Sequence, residues 1–344
     1  MIKTFSLKKI VLANLFSLFC VFAYTQEECT FTLSKAQKLY DAGSIEQIPE
    51  MLKPCIESGF TKEEKQQAMK LIILAYLFDN NQKEADNELL KFLNKYPEYE
   101  ISPSDQAEFV QLFNTYRTLP IGSIGALAIT NSTFAYATHW RTTNPVPGGT
   151  YKNTGIGISG GIDYQQYIHE KLDLSLEILY VSSGYIYSDE NFETKGPISS
   201  TETQSYIQFP FTALYKPYNI WKISTYVRGG LDVGYLLTSS ASLVNYINSI
   251  SQKPITNSNF PLINYRDRLQ YWGIVGAGIN LNVLPHSNIM LDFRYNIGIK
   301  EQNKPNTLDN TMQSAFNEND FKINNLFISV GIFYKLYKPI KKTK

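Results

Sequence analysis

From Pro120 to about residue 337 the sequence alternates apolar and polar residues, and the gaps between the alternating runs are themselves alternately short and long. Period two is the signature of a strand with one apolar face. "LDLSLEILY" sets Leu172, Leu174, Leu176, Ile178 and Tyr180 against Asp173, Ser175 and Glu177. "YIQFPFTALYK" puts Ile207, Phe209, Phe211 and Tyr215 on one face. Comparable runs are "IGSIGALAITNSTFAY", "TGIGISGGIDYQQY", "WKISTYVRGGLDVGY", "YWGIVGAGINLNV", "IMLDFRYNIGIK" and "NNLFISVGIFYKLY", making about eight strands. Connections through "IHEK", "PYN" and "LPHSN" are tight, whereas those at about 136–151, 188–203, 237–268 and 301–320 are long. Such alternation puts every long loop at one end of an up-and-down antiparallel sheet. An even strand count brings both chain ends to the other end. This is the layout of an outer-membrane barrel, with short periplasmic turns and long extracellular loops. A soluble eight-stranded barrel of lipocalin type shares it.

Choosing between the two requires knowing which face points inward. In "TYVRGGLDVGY", Arg228 and Asp232 share a face with Tyr226, Gly230 and Gly234, while Val227, Leu231, Val233 and Tyr235 occupy the other. The charged face carries both signs at Glu177, Lys222, Arg228, Asp232, Asp292, Arg294 and Lys335, so its members can neutralise one another in a narrow lumen. Glycines crowd the same face, leaving room for large neighbours. Aromatic residues gather at strand ends, with Tyr215 and Trp221 beside a short turn and Tyr180, Tyr235 and Tyr271 beside long loops. That is where a membrane girdle belongs. The expectation is a lumen network of Glu177, Lys222, Arg228, Asp232, Asp292 and Arg294, with the apolar face toward lipid.

Before Pro120 the periodicity is helical. "TKEEKQQAMKLIILAYLF" opens on a capping box, Thr61 and Glu64, and "QKEADNELLKFLNKYP" supplies a return helix stopped by Pro97. An earlier pair spans roughly 34–42 and 45–57, and a last helix is expected from a Ser102-Pro103 cap. "MIKTFSLKK" followed by "IVLANLFSLFCVFAY" reads as a signal peptide cleaved near Thr25/Gln26. Phe19 before Cys20 does not suit lipoprotein processing. Cys29 and Cys55 then remain as an even pair in an exported chain, which predicts a disulfide between them. The chain is thus expected to be an α+β multidomain protein. A signal peptide covers 1–25, and an all-α domain of helical hairpins, TPR-like and periplasmic, covers 26–117. An eight-stranded antiparallel up-and-down transmembrane β-barrel covers 118–338, and a basic C-terminal tail covers 339–344 on the periplasmic side.

The signal peptide, the barrel from about 121 to 337, the terminal "ISVGIFYKLYK" strand and the "YRTLP" junction together resemble the PorT-like outer-membrane barrel proteins of Bacteroidetes. The resemblance implies an integral barrel serving as a subunit of an envelope machine for secretion or nutrient uptake. Its partners would be outer-membrane lipid and other outer-membrane or periplasmic subunits, and it implies no catalytic residue.

Other chemistry finds little support. A net charge of +1 gives no case for a nucleic-acid partner. "GIGISG" (Gly155, Gly157, Gly160) matches a dinucleotide fingerprint, but a strand runs through it where the phosphate site needs a helix N-terminus. His139, His169 and His286 are too dispersed for a metal cluster, so neither metal nor cofactor is expected. "NST" at Asn131 reads as a chance loop sequon. A structural or accessory barrel, not an enzyme, is the reading that remains. The alternatives are a narrow channel or a lipid-modifying barrel enzyme.

Overall fold

In a computed structural model the structure describes residues 27–140, 149–190, 197–245, 255–284, 286–304 and 319–342. The expected signal peptide, with Cys20, lies outside the described residues. The chain divides into two compact units, one running to Leu119 and including Tyr337 onward, the other Pro120–Leu336.

The first unit is helical. It comprises α1 over 27–41, α2 (Ile48–Glu57), α3 (Lys62–Phe78), α4 (Gln82–Lys95) and α5 (Ala107–Asn114). The capping box at the start of α3 is formed. Thr61 Oγ1 accepts the Glu64 N–H at 3.2 Å, and Glu64 Oε2 accepts the Thr61 N–H at 2.9 Å. Asn81 caps α4. From Ala68 onward helix α3 is apolar on most sides because it serves two clusters. Ala68, Leu71, Ile72 and Ala75 pack with Ala36, Ile48 and Leu52. Met69, Ile73 and Leu74 pack with Leu89, Phe92 and Phe109. Cys29 and Cys55 are joined by a disulfide, tying α1 to α2.

Ser102-Pro103 does not cap the last helix, which begins at Ala107 behind Gln106. The Ser102 N–H instead donates to the Asp105 carboxylate at 2.8 Å. Lys70 Nζ and the Tyr99 hydroxyl, both at 2.6 Å, hold that same carboxylate. Long-range partners thus keep Asp105 in a turn, out of the first turn of a helix. The basic tail is engaged as well. Two short strands, β1 (Tyr116–Arg117) and β13 (Ile340–Lys341), pair antiparallel, and Lys341 Nζ lies 2.5 Å from Asp86 in α4.

The second unit is an antiparallel sheet. Its main strands are β2 (Gly122–His139), β4 (Gly157–His169), β5 (Leu172–Asp189), β6 (Ile198–Tyr215), β8 (Ile223–Asn245), β10 (Leu269–Leu284), β11 (Ser287–Gly298) and β12 (Asp320–Leu336). Short strands β3 (Gly149–Asn153), β7 (Asn219–Ile220) and β9 (Ile255–Pro261) pair at the ends of β5 and β8. The eight main strands form a ring, because β10 pairs with β8 as well as with β11. Strand runs through Gly157–Gly160, as expected, and no helix follows it.

Four strands outrun their expected ends. β2 reaches His139, β5 reaches Asp189, β6 starts at Ile198 and β8 continues to Asn245, so parts of the long connections 136–151, 188–203 and 237–268 are strand. There "SSTETQS" and "SSAS" are polar on both faces, so the apolar alternation that reveals a strand is missing while the pairing goes on. Asn131 belongs to β2 and not to a loop. Buried, it donates to the Ser182 carbonyl at 2.8 Å and accepts from Ser159 Oγ at 2.8 Å.

Candidate functional site

The charged face points into the ring. Arg228 and Asp232 are buried, while Val227, Leu231, Val233 and Tyr235 on the same strand are exposed. The side-chain alternation of β8 fixes this: with Leu231 and Val233 outside, residues 228 and 232 have nowhere else to point.

Four side chains from three strands make the centre of the interior. Arg228 Nη1 lies 2.9 Å from Glu177 Oε1 and 3.2 Å from Asp292 Oδ2. Arg294 Nη1 lies 2.7 Å from Glu177 Oε2, and its Nε 2.8 Å from Asp292 Oδ2. Each carboxylate is therefore shared by both guanidiniums, a closed quartet of two cations and two anions. The Tyr226 hydroxyl donates to Asp292 Oδ1 at 2.7 Å. Ser175 links the quartet to Asp163: it accepts from Arg228 Nη2 at 3.4 Å and donates to Asp163 Oδ1 at 2.8 Å. Such packing needs the strand between them, β10, to carry no side chain on that row. A Cβ at Gly276 would stand 2.9 Å from Arg294 Cβ and 3.1 Å from Arg228 Cγ.

Two of the expected members behave differently. Asp232 is buried but sits apart from the quartet, accepting from Asn296 Nδ2 at 3.1 Å, with no cation within ion-pair distance among the described residues. Lys222 is not inside at all. It lies at the β7–β8 turn, exposed, with its ammonium 5.2 Å from the Trp221 ring centre. The alternation inferred for "WKISTYV" breaks there, because residues 221 and 222 form the turn itself and Trp221 has a positive φ of 53°. Asp163 and Ser175 were visible on the polar face of their strands, but a sequence does not say which polar residues meet across a ring.

A second interior cluster, absent from the sequence-based expectations, fills the long-loop end. Glu202 accepts from Arg266 Nη2 at 2.7 Å, Arg266 Nε at 3.0 Å, Ser239 Oγ at 2.7 Å, Gln204 Nε2 at 2.7 Å and the Tyr185 hydroxyl. The Arg266 guanidinium also lies 5.1 Å from the Phe321 ring centre. Both charges fell in segments expected to be loops. The one available signal was the alternation Glu202, Gln204, Tyr206, Gln208, which continues backward from "YIQFP".

Outside the ring, Tyr180, Tyr215, Trp221, Tyr235 and Tyr271 are all exposed. Tyr180 and Tyr235 fall on one register row through Ile207, while Tyr215 falls on a row with Leu172 and Val227. In the helical unit, a groove of about 640 Å³ opens between α1, α3 and the segment preceding α5, lined by Leu33, Gln37, Gln67, Leu71, Ser104 and Phe109 among others. The Lys70–Asp105 pair sits at its edge. Burial raises the Asp105 carboxyl, but Lys70, Tyr99 and the Ser102 N–H more than offset this and hold it below its ordinary value.

No curated protein sequence matches the chain. Among solved structures it is similar to Ail, the attachment invasion locus protein of Yersinia pestis, at 14% identity over 62% of this chain and 99% of Ail, with a TM-score of 0.31. It is also similar to OprG from Pseudomonas aeruginosa, at 10% identity over 64% of this chain and 98% of OprG, with a TM-score of 0.37. A third is the outer membrane protease OmpT from Escherichia coli, at 9% identity over 63% of this chain and 97% of OmpT, with a TM-score of 0.38. The family described as "Outer membrane protein beta-barrel domain" matches residues 109–302, more than half of the 344 residues and including most of the ring. The chain therefore belongs to the outer membrane protein beta-barrel domain family.

Proposed function

We propose that the protein is a plugged, non-catalytic barrel that acts as an accessory subunit of an envelope complex, engaging partner proteins through its helical unit and long loops. The observation that carries this reading is the interior quartet of Glu177, Arg228, Asp292 and Arg294, whose side chains are at most 1% exposed. Eight strands enclose just enough room for side chains, and these side chains use that room on one another. Carboxylates and guanidiniums engaged with one another in this way occupy the space that a solute or a reacting group would need. Above them, Glu202 and Arg266 close the long-loop end in the same way.

The outer face supports a transmembrane barrel. From the Tyr215 row to the Ile207 row is a step of eight residues along β6. At about 3.3 Å per residue and a tilt of about 40°, that separates the two aromatic levels by about 20 Å, close to the height of an outer-membrane apolar band. Beyond the upper level the strands turn to Ser and Thr, as suits a wall rising out of lipid. On this reading the long loops are extracellular, and the helical unit and C-terminal residues are periplasmic. The helical hairpins act as a TPR-like adaptor whose groove receives a partner, and the barrel is of PorT-like type.

Planar-bilayer recording of the purified protein tests the plug. No conductance steps are expected at moderate voltage, and reproducible steps would favour a narrow channel. Protease added to intact cells tests the orientation: cuts within 33–116 would overturn it.

A further inference from the structure

We propose that His139, Glu301 and Asp320 form a binding site for a divalent transition-metal ion at the long-loop end of the ring. The three side chains come from β2, from the segment after β11 and from β12, and each offers one ligand atom, all within 4.8 Å of one another. His139 Nδ1 already lies 3.5 Å from Glu301 Oε1. Two ligands on a tetrahedral ion with bonds of about 2.0–2.1 Å stand about 3.3 Å apart. That edge is therefore preset, and drawing in the remaining ligand takes a side-chain adjustment that the exposed His139 can supply.

The backbone is built to bring them together. Asp320 pairs with His139 and Phe321 with Ala137, so Thr138 is an extra residue in β2 and the register shifts at this point. In a regular strand, residues 138 and 139 would point to opposite faces. Here the Thr138 hydroxyl donates to Glu301 Oε1 at 2.7 Å, and His139 Nδ1 approaches the same oxygen. A bulge re-aims a side chain in this manner, at barrel rims in particular. Glu301 is anchored as well, its carbonyl accepting from Gln270 Nε2 at 3.2 Å. Lys300 does not neutralise Glu301, since its ammonium lies 2.5 Å from Asp267.

The donor set selects the ion. One imidazole nitrogen and two carboxylates suit zinc and its neighbours in the first transition row. Calcium takes about six to eight oxygens, which this set does not offer. Three protein ligands would leave a fourth position open to solvent or to a group on another molecule.

The test is a zinc titration of the purified, folded protein without a histidine tag, read by competition with a chromophoric chelator. Cys29 and Cys55, joined to each other, do not compete. One zinc per chain is expected in the wild type. His139→Ala and Glu301→Gln should each weaken binding about tenfold or more, while His169→Ala, at a distant turn, should not. Heat-modifiable gel mobility confirms that each variant is folded, and the exposure of His139 makes its loss harmless to the ring. Absence of a bound zinc in the wild type would overturn the proposal. So would wild-type affinity in both His139→Ala and Glu301→Gln, or a loss in His169→Ala equal to theirs.

Discussion

Replacing Arg228 by leucine should damage the barrel, and replacing its neighbour Val227 by leucine should not. The two positions are adjacent, yet Val227 is 49% exposed on the outer face and the Arg228 side chain is fully buried. Arg228→Leu keeps much of the volume but removes one of two cations from a group of two carboxylates. Glu177 and Asp292 are then left to share Arg294, and the interior gains an uncompensated negative charge with Asp163 linked through Ser175 nearby. Breaking a buried ion pair from one side costs about 3–5 kcal/mol. Val227→Leu adds one methylene toward lipid, and a substitution at such a surface falls within about 0.5 kcal/mol. Unfolding in detergent, followed by heat-modifiable gel mobility against urea, separates the two. Arg228→Leu combined with Asp292→Asn should recover part of the loss, because the second change removes the stranded charge. If Val227→Leu were the damaging change and Arg228→Leu the silent one, the assignment of inner and outer faces would be wrong.

Val227 shares the Tyr215 row at the edge of the apolar band, so Val227→Arg should destabilise by only about 0–1 kcal/mol, whereas Leu231→Arg, midway between the two aromatic rows, should cost about 2–4 kcal/mol in the same assay. Non-reducing mass spectrometry should recover Cys29 linked to Cys55. Replacing both by serine should cost the helical unit about 3.5 kcal/mol, from the closure entropy of their 26-residue separation. Asp105 has a folded pKa below its ordinary value of 3.8, so its contribution to stability is present above about pH 4 and is lost as pH falls below that. Asp105→Asn should flatten this acid limb of helical-unit stability, followed by circular dichroism, and an unchanged limb would refute the role of the Lys70–Asp105 pair.

What the sequence determined by itself was most of what depends on period and on local chemistry, the Ser102-Pro103 cap being an exception. Alternation identified the eight strands, and the lengths of the gaps ordered them up and down. The Thr61–Glu64 box started α3 where a helix start was expected, because a cap needs only residues three apart. The pairing of Cys29 with Cys55 followed from parity in an exported chain. Even the inward direction of Arg228 was legible, since one face of a strand must be chosen whole.

Tertiary structure decided what depends on residues distant in the chain. Glu177 meets Arg294 across 117 positions, and Glu202 meets Arg266 across 64. Ring curvature and register set those meetings, so Asp232 stands aside while Asp163 joins. Strands grew past their apolar stretch because backbone pairing does not require apolar side chains, only a neighbouring strand to pair with. Lys222 fell outside because the turn interrupted its alternation. One extra residue in β2 brought Thr138 and His139 to the same oxygen, and no spacing in the sequence marks a bulge that exists only between paired strands.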